Sequence, residues 1–328
     1  MNIYTVTGKA ITVLRLLSRE RAGFDACLTN SCVDNFAKHA GLDVVLAPDY
    51  THPSVVESLK LLANLQVHDE ELRTYFTGER YIYGLPSLFN PARGHCALIH
   101  IASRLMFLAA ATNTTFSQLF IKQDIPDQIA EFLHDISRSK MEYSDGLNRG
   151  ILTIELLKLS FAISISFSSQ NESPMFGIPA KKEPLNVEDT QKFVNLLGVT
   201  IKICKEAQPA QKAALRDDTI EACINVLMNL PVAELGNVWF PKSNLDFVTF
   251  IADCFDETVR YMIPKNTKGS DIEDANVDGV PMDQILSPCL VLLKHLAEGS
   301  GEARKLLKGR YMPNNLYKSI NIGTVLNR

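Results

Sequence analysis

Four signatures of catalysis and nucleotide binding are missing from this chain of 328 residues. G-x-S-x-G, H-E-x-x-H, G-x-x-x-x-G-K-[ST] and G-x-G-x-x-G do not occur. Their absence removes sequence support for a nucleophile elbow, a zinc protease, a P-loop and a dinucleotide fold. Gly8-Lys9 has no glycine-rich loop before it. No C-x-x-C pair is present, and the seven cysteines are odd in number and set mostly inside apolar helical runs. That usage fits a reducing, cytosolic compartment in which thiols act as small buried hydrophobes. Positive charge is in slight deficit, with 33 Lys plus Arg against 37 Asp plus Glu and a net charge of -4. Bulk nucleic-acid binding is excluded on that balance, while a local arginine stripe for an acidic peptide stays open. The amino terminus, MNIYTVTGKA, lacks the charged start, apolar block and cleavage site of a signal peptide. The longest apolar run, Ile151 to Phe167, falls short of the about 20 residues of a membrane crossing and carries Glu155 and Lys158. No stretch alternates with period two for long enough to require a strand.

What the chain does have is a helical phrase used more than once. Residues 57–65 read ESLKLLANL, residues 155–163 read ELLKLSFAI, and residues 222–230 read ACINVLMNL. Aligned on Asn64, the third copy sets Asn229 in the same slot and the second sets Ala162 there; Lys60 and Lys158 also share a slot. Such recurrence marks stacked helical units, none of which buries its apolar face alone. The fold class predicted is all-α, an armadillo/HEAT-like right-handed helical solenoid. At roughly 40–47 residues per unit the chain holds about seven units. A solenoid of this type works as a gripping surface rather than a reaction vessel.

Apolar residues at helical spacing predict helices at 10–17, 34–42, 54–65, 70–76, 96–111, 114–121, 126–136 and 151–167. Further helices follow at 190–205, 219–230, 245–262, 285–297 and 302–307. Gly41 is a stop signal for the second helix, and Ser54 with Glu57 three residues on reads as a capping box for the third. Gly84 to Gly94, with Pro86 and Pro91, breaks the chain. Long loops are expected near 168–189, which holds Pro174, Pro179 and Pro184, and near 264–284, which is acidic. These limits give a repeat domain over residues 1–312 and an atypical tail over 313–328.

Metal sites fail on their spacing. Asp274-x-Asn276-x-Asp278-Gly279 opens like a calcium-binding EF-hand loop, but Ile285 stands where the closing bidentate carboxylate is needed. His95, Cys96 and His100 lie close in sequence, yet five helical residues turn His100 away from His95, and no second ligand pair has zinc spacing. No metal, cofactor or catalytic residue is assigned. The candidate partner-binding residues are Arg15, Arg19, Asn64, Arg104 and Asn229. Arg15 and Arg19 share a helix face, and with Arg104 they interrupt apolar helices with a planar fork suited to carboxylates and carbonyls. The alternative for each is snorkelling to solvent. An inner-helix Asn bonds either a bound extended peptide or a neighbouring loop carbonyl, and Asn64 and Asn229 carry both readings.

Several phrases together resemble the synembryn family. They are TVLRLLSRER at 12–21, ESLKLLANL at 57–65, SRLMFLAAA at 103–111 and CINVLMNLP at 223–231. FVTFIADCFDETVRYMIPK at 247–265, LSPCLVLLKHLA at 286–297 and ARKLLK at 303–308 continue the match in order and spacing over about residues 10–312. The resemblance implies a cytosolic armadillo/HEAT-like protein that binds nascent or GDP-loaded α subunits of heterotrimeric G proteins (Gα). It implies a folding chaperone and non-receptor guanine nucleotide exchange factor with no covalent chemistry, recruited to the plasma membrane or cell cortex through Gα. The implied device is a concave surface that takes the C-terminal helix of Gα and draws it away from the nucleotide pocket. GDP is loosened, and GTP binding then releases Gα. Mapped by motif, Arg15 and Arg19 fall on the first basic phrase, Asn64 and Arg104 on inner helices of the following units, and Asn229 on a later one. Lys60 and Lys158 occupy equivalent slots, as contacts or as solvated lysines.

The chain departs from the family pattern in three places. Ala162 replaces an expected Asn, the chain begins almost at the first basic phrase, and it ends in NNLYKSINIGTVLNR, which is unlike the family. The expectation is a chain shortened at both ends that binds without exchanging efficiently and is less soluble than its composition implies. A second class of function is a generic armadillo/HEAT adaptor for an extended segment. A third is an enzyme whose site leaves no sequence signature.

Overall fold

Helical periodicity is realised along most of what the computed structural model describes, residues 3–20, 29–43, 52–78, 81–89, 95–138, 149–165, 187–206, 218–230, 245–262, 276–277 and 280–311. The chain is all-α apart from one minimal hairpin among these residues, and it divides into two compact units, Met1–Ser166 and Phe167–Arg328.

The first unit carries α1 (Ile3–Leu17), α2 (Asn30–His39), α3 (Pro53–His68), α4 (Glu70–Gly78), α5 (Tyr81–Gly84), a 3-10 turn (Pro86–Phe89), α6 (Cys96–Thr112), α7 (Thr114–Lys122), α8 (Ile125–Ser137) and α9 (Arg149–Ile165). α1 packs on α3, α3 on α6, and α6 on α9, so the longer helices follow one another in solenoid order. α2 and α4 cover α3, while α7 and α8 cover α9. α6 is apolar almost all round because it lies between two helices; Leu98, Ile99, Ala102, Leu105, Met106 and Ala109 are fully buried. Its buried Ser103 donates to the Ile99 carbonyl at 2.7 Å. Ser58 in α3 and Ser160 in α9 do the same one turn back, at 2.8 and 2.9 Å. Each hydroxyl is thereby satisfied without a partner from another helix.

The start of α3 corrects the sequence reading. Pro53 takes the first helical position, where its missing N–H costs nothing, and His52 is the N-cap. Its Nδ1 accepts from the Ser54 amide at 3.3 Å and lies 2.6 Å from the Ser54 hydroxyl. Glu57 does not close a capping box; it turns toward α1. Gly41 does end the second helical segment, with φ 74° in the left-handed region. The expected break after Gly84 holds buried structure: Leu88 and Phe89 of the 3-10 turn are core residues, and Phe89 meets Phe132 edge-on at 5.3 Å. A Cβ on Gly84 would lie 2.6 Å from the Leu42 carbonyl oxygen, so only glycine permits that approach.

Gln66 of α3 is 1% exposed, and neither amide atom has a hydrogen-bond partner among the described residues. A buried amide without partners keeps its full desolvation cost. Gln66→Leu is therefore expected to raise stability by about 1 kcal/mol, read as a higher urea midpoint at unchanged slope.

The second unit carries α10 (Val187–Glu206), α11 (Asp218–Asn229), α12 (Leu245–Met262), β1 (Asn276–Val277), β2 (Val280–Pro281), α13 (Met282–Gly299) and α14 (Gly301–Tyr311). α10 packs on α11, and α13 touches α11, α12 and α14. Two boundaries differ from expectation. α10 begins at Val187, inside the segment read as a loop, and the acidic segment contains an antiparallel pair, Asn276 with Pro281 and Val277 with Val280. The rest of the two expected loops, 168–186, 264–275 and 278–279, and the tail 313–328 lie outside the described residues. Arg304 ties α14 back to the end of α13, donating to the carbonyls of Ala297 at 3.0 Å and Glu298 at 3.3 Å.

No described helix is long and apolar enough to cross a membrane. Among the described residues, no group of three or more His, Cys, Asp or Glu is placed to hold a metal ion.

Candidate partner-binding cleft

The C-terminal end of α1 is fixed by α3. A helix end leaves carbonyls without intrahelical donors, and Asn64 reaches across to supply one. Its side-chain amide donates to the Ser18 hydroxyl at 2.9 Å and to the Arg15 carbonyl at 3.4 Å. Ser18 in turn donates to the Arg15 carbonyl at 2.8 Å. Glu57, two helical turns earlier on α3, accepts from Arg15 Nε and, at 2.9 Å, from Lys60 Nζ. Arg15 is thus held by its side chain and its backbone together.

Beside this anchor opens a cleft of about 280 Å³. α1 lines it with Arg15 and Arg19, and α3 with Lys60, Ala63 and Asn64. α6 completes it with His100, Ile101 and Arg104. Four of the five candidate residues therefore converge in one place. Arg19 and Arg104 are exposed and have no hydrogen-bond or ion-pair partner among the described residues, whereas Arg15 is engaged through Nε. Four cationic side chains face the cleft; Glu57 is bonded to Arg15 and Lys60, and the buried Glu155 interacts with the charge of Arg104. A site with surplus guanidinium and an Ala63–Ile101 floor suits an anionic segment with some apolar surface. Val13, Leu16 and Leu17 of α1 are each about half exposed and lie outside the residues that line the cleft.

The same repeat slot has opposite electrostatics in two helices. Glu57 and Glu155 are equivalent positions in the repeated phrase. Burial works to raise the Glu57 carboxyl, but its bonds to Lys60 and Arg15 outweigh that and hold it below the ordinary 4.5. Glu155 lacks such bonds among the described residues. Burial dominates and raises it, with Lys158 and Arg104 only partly opposing. Because Glu57 is depressed on folding, its contribution to stability is complete above its unfolded value and is lost as pH falls through the folded one. Glu57→Gln is expected to cost about 1–3 kcal/mol near neutral pH and progressively less toward acid. Urea melts at a series of pH values check this; an effect that does not shrink toward acid contradicts the assignment.

His100 is half-buried, and burial followed by the charges of Arg104, Lys60 and Lys158 lowers its ring below the ordinary 6.5. Neither His100 nor Glu57 was picked out from sequence as a cleft residue. The signal available was their position: Glu57 opens the repeated phrase, and His100 stands one helical turn before Arg104. Asn229 is a different case. It is buried in the second unit and donates to the Asn225 carbonyl of its own helix at 2.8 Å, which is the backbone-satisfying reading of that residue.

The family described as guanine nucleotide exchange factor synembryn matches residues 10–324. The chain belongs to the synembryn family. Two relatives, both named chaperone Ric-8A, come from Xenopus tropicalis and Xenopus laevis. The first is 23% identical over 338 residues and the second 22% identical over 340. Each alignment covers 92% of this chain and 56% of the relative. The chain thus spans about half the length of the curated relatives it matches. All four residues gathered in the cleft, Arg15, Arg19, Asn64 and Arg104, lie inside the stretch matched by the synembryn family.

Proposed function

We propose that this synembryn-family chain binds the α subunit of a heterotrimeric G protein, and that its first-unit cleft takes the C-terminal helix of that subunit. The observation that carries the reading is the cleft itself, where two exposed guanidiniums, Arg19 and Arg104, stand beside an apolar floor. A chain terminus supplies an α-carboxylate for the guanidiniums, and a helix supplies an apolar face for Ala63 and Ile101. The bound form is a nascent or GDP-loaded Gα, in line with a chaperone role. Exchange follows if the chain prefers nucleotide-free Gα, since a ligand shifts a two-state equilibrium only by its differential affinity for the two states. No side chain of this protein then needs to touch the phosphates. Binding to Gα also supplies the route to the plasma membrane and cell cortex. Asn229 takes no part in this cleft in the proposal.

The test is GDP release from a purified Gα subunit with and without the chain, paired with a pull-down from the same samples. Binding with faster release supports both roles, and binding without faster release supports the chaperone role alone. Absence of both overturns the proposal and favours an adaptor for another extended segment.

A further inference from the structure

His100 is the lining residue of the cleft whose ordinary titration lies nearest neutral pH. α6 lies between the two copies of the repeated phrase, on α3 and α9. The equivalent lysines of those copies, Lys60 and Lys158, therefore act on the same ring from either side. Arg104 adds a third cation one turn along α6, and Arg15 and Arg19 line the cleft from α1. The carboxylates nearby are Glu57, bonded to Arg15 and Lys60, and Glu155, buried near Lys158 and Arg104. α4, α7 and the 3-10 turn also pack on α6 but contribute none of the charges acting on the ring.

We propose that His100 reads the charge of what enters the cleft, taking up a proton together with an anionic ligand. The inference rests on the reading of the cleft as an anion site and goes beyond it by naming the group that senses the charge. In the free protein, burial and surrounding cations favour the neutral ring. A carboxylate seated among Arg19, Arg104 and Lys60 offsets those cations, so the imidazolium becomes favourable and can donate from both nitrogens. The ring is then raised in the complex relative to the free protein. Affinity is flat above the value in the complex, and it flattens again below the free value. Between the two it increases as pH falls, by at most about tenfold per pH unit. A neutral ligand gains nothing from the same change, so His100 makes the cleft selective for charge. Glu155 titrates in the same sense, because its protonation also removes negative charge near the cleft, and the test must separate the two.

The probe is a short acidic peptide with a free α-carboxylate, compared with an amidated Gln/Asn counterpart. Binding to the full chain is measured by calorimetry between about pH 5.5 and about pH 8.5, a range that spans ordinary imidazole titration. Two buffers of different ionisation enthalpy report proton uptake. In parallel, NMR follows the His100 ring in the native protein with and without peptide. Expected results are tighter binding of the acidic peptide at lower pH with net proton uptake, and an upward move of the His100 titration on binding. His100→Gln loses the pH dependence and Glu155→Gln keeps it. If the acidic peptide binds while the ring titration stays put, or if His100→Gln keeps the dependence, the inference is overturned and the anion site stands. If the acidic peptide fails to bind at every pH, both are overturned.

Discussion

Arg19→Glu combined with Arg104→Glu is expected to weaken binding of a GDP-loaded Gα subunit by about 100-fold or more. Both guanidiniums line the cleft and neither side chain makes a hydrogen bond or salt bridge among the described residues, so reversing them turns two attractions into two repulsions without breaking such a bond. Substitutions of exposed side chains away from packed contacts change stability by about 0.5 kcal/mol or less, so the melting temperature should move by no more than about 2 °C. Arg15 is the poorer choice for this experiment. Its Nε is bonded to Glu57 and its carbonyl to Asn64 and Ser18, so Arg15→Glu sets like charges together and loosens the end of α1. A loss of binding there would mix recognition with folding. Equilibrium binding and thermal melts on the same preparations separate the two effects. Unchanged affinity of the Arg19/Arg104 double variant would exclude the cleft as the docking site.

Arg310→Met is expected to lower the stability of the second unit by about 3–5 kcal/mol. Arg310 on α14 reaches α12 with one edge of its guanidinium: Nε and Nη2 bond Asp256 at 2.9 and 2.6 Å, and Nη2 also bonds Asp253 at 2.6 Å. Asp256 is buried, and Tyr311 meets Phe255 edge-on beside it, so removing the guanidinium leaves a carboxylate desolvated without its main counter-charge. Asp253 is exposed and contributes little by comparison. The sign of the double variant is informative. Arg310→Met with Asp256→Leu should recover much of the loss, because an apolar pair of similar volume often replaces a buried ion pair without penalty. Urea melts of the single and double variants measure this, and a single variant as stable as wild type would contradict the α12–α14 clamp.

The helices were legible in sequence because their apolar residues recur at a spacing that only a helix uses, and most boundaries moved by a few residues at most. α6 shows why: its apolar run from Cys96 to Ala111, interrupted chiefly by His100, Ser103 and Arg104, has neither the length of a membrane crossing nor the alternation of a strand, which leaves a helix buried between helices. Misreadings came where two local signals compete. Ser54 with Glu57 looks like a capping box, but Pro53 fits the first helical position and moves the cap to His52. The antiparallel pair of 276–277 with 280–281 went unread for another reason, since strands of two residues are too short for a period of two to show.

The cleft was half legible. Arg15, Arg19, Asn64 and Arg104 stand out because polar groups in apolar helices need a reason. Asn64 lines the cleft and also bonds the end of α1. Glu57 and His100 escaped notice because their roles depend on which helices are neighbours. A carboxylate at the start of a repeated phrase says nothing of its partner until α1 lies against α3. The ring of His100 has no special chemistry until packing of α6 between α3 and α9 buries it and brings the charges of Arg104, Lys60 and Lys158 to bear.

The most direct measurement is the binding of a synthetic peptide corresponding to the Gα C-terminal helix, with its free carboxylate, to the full chain, in competition with whole Gα. The cleft reading predicts that the peptide binds, that rising salt weakens it, that it displaces Gα, and that Arg19→Glu with Arg104→Glu abolishes it. Binding of whole Gα that the peptide neither reproduces nor displaces would contradict it and place the contact elsewhere on the chain.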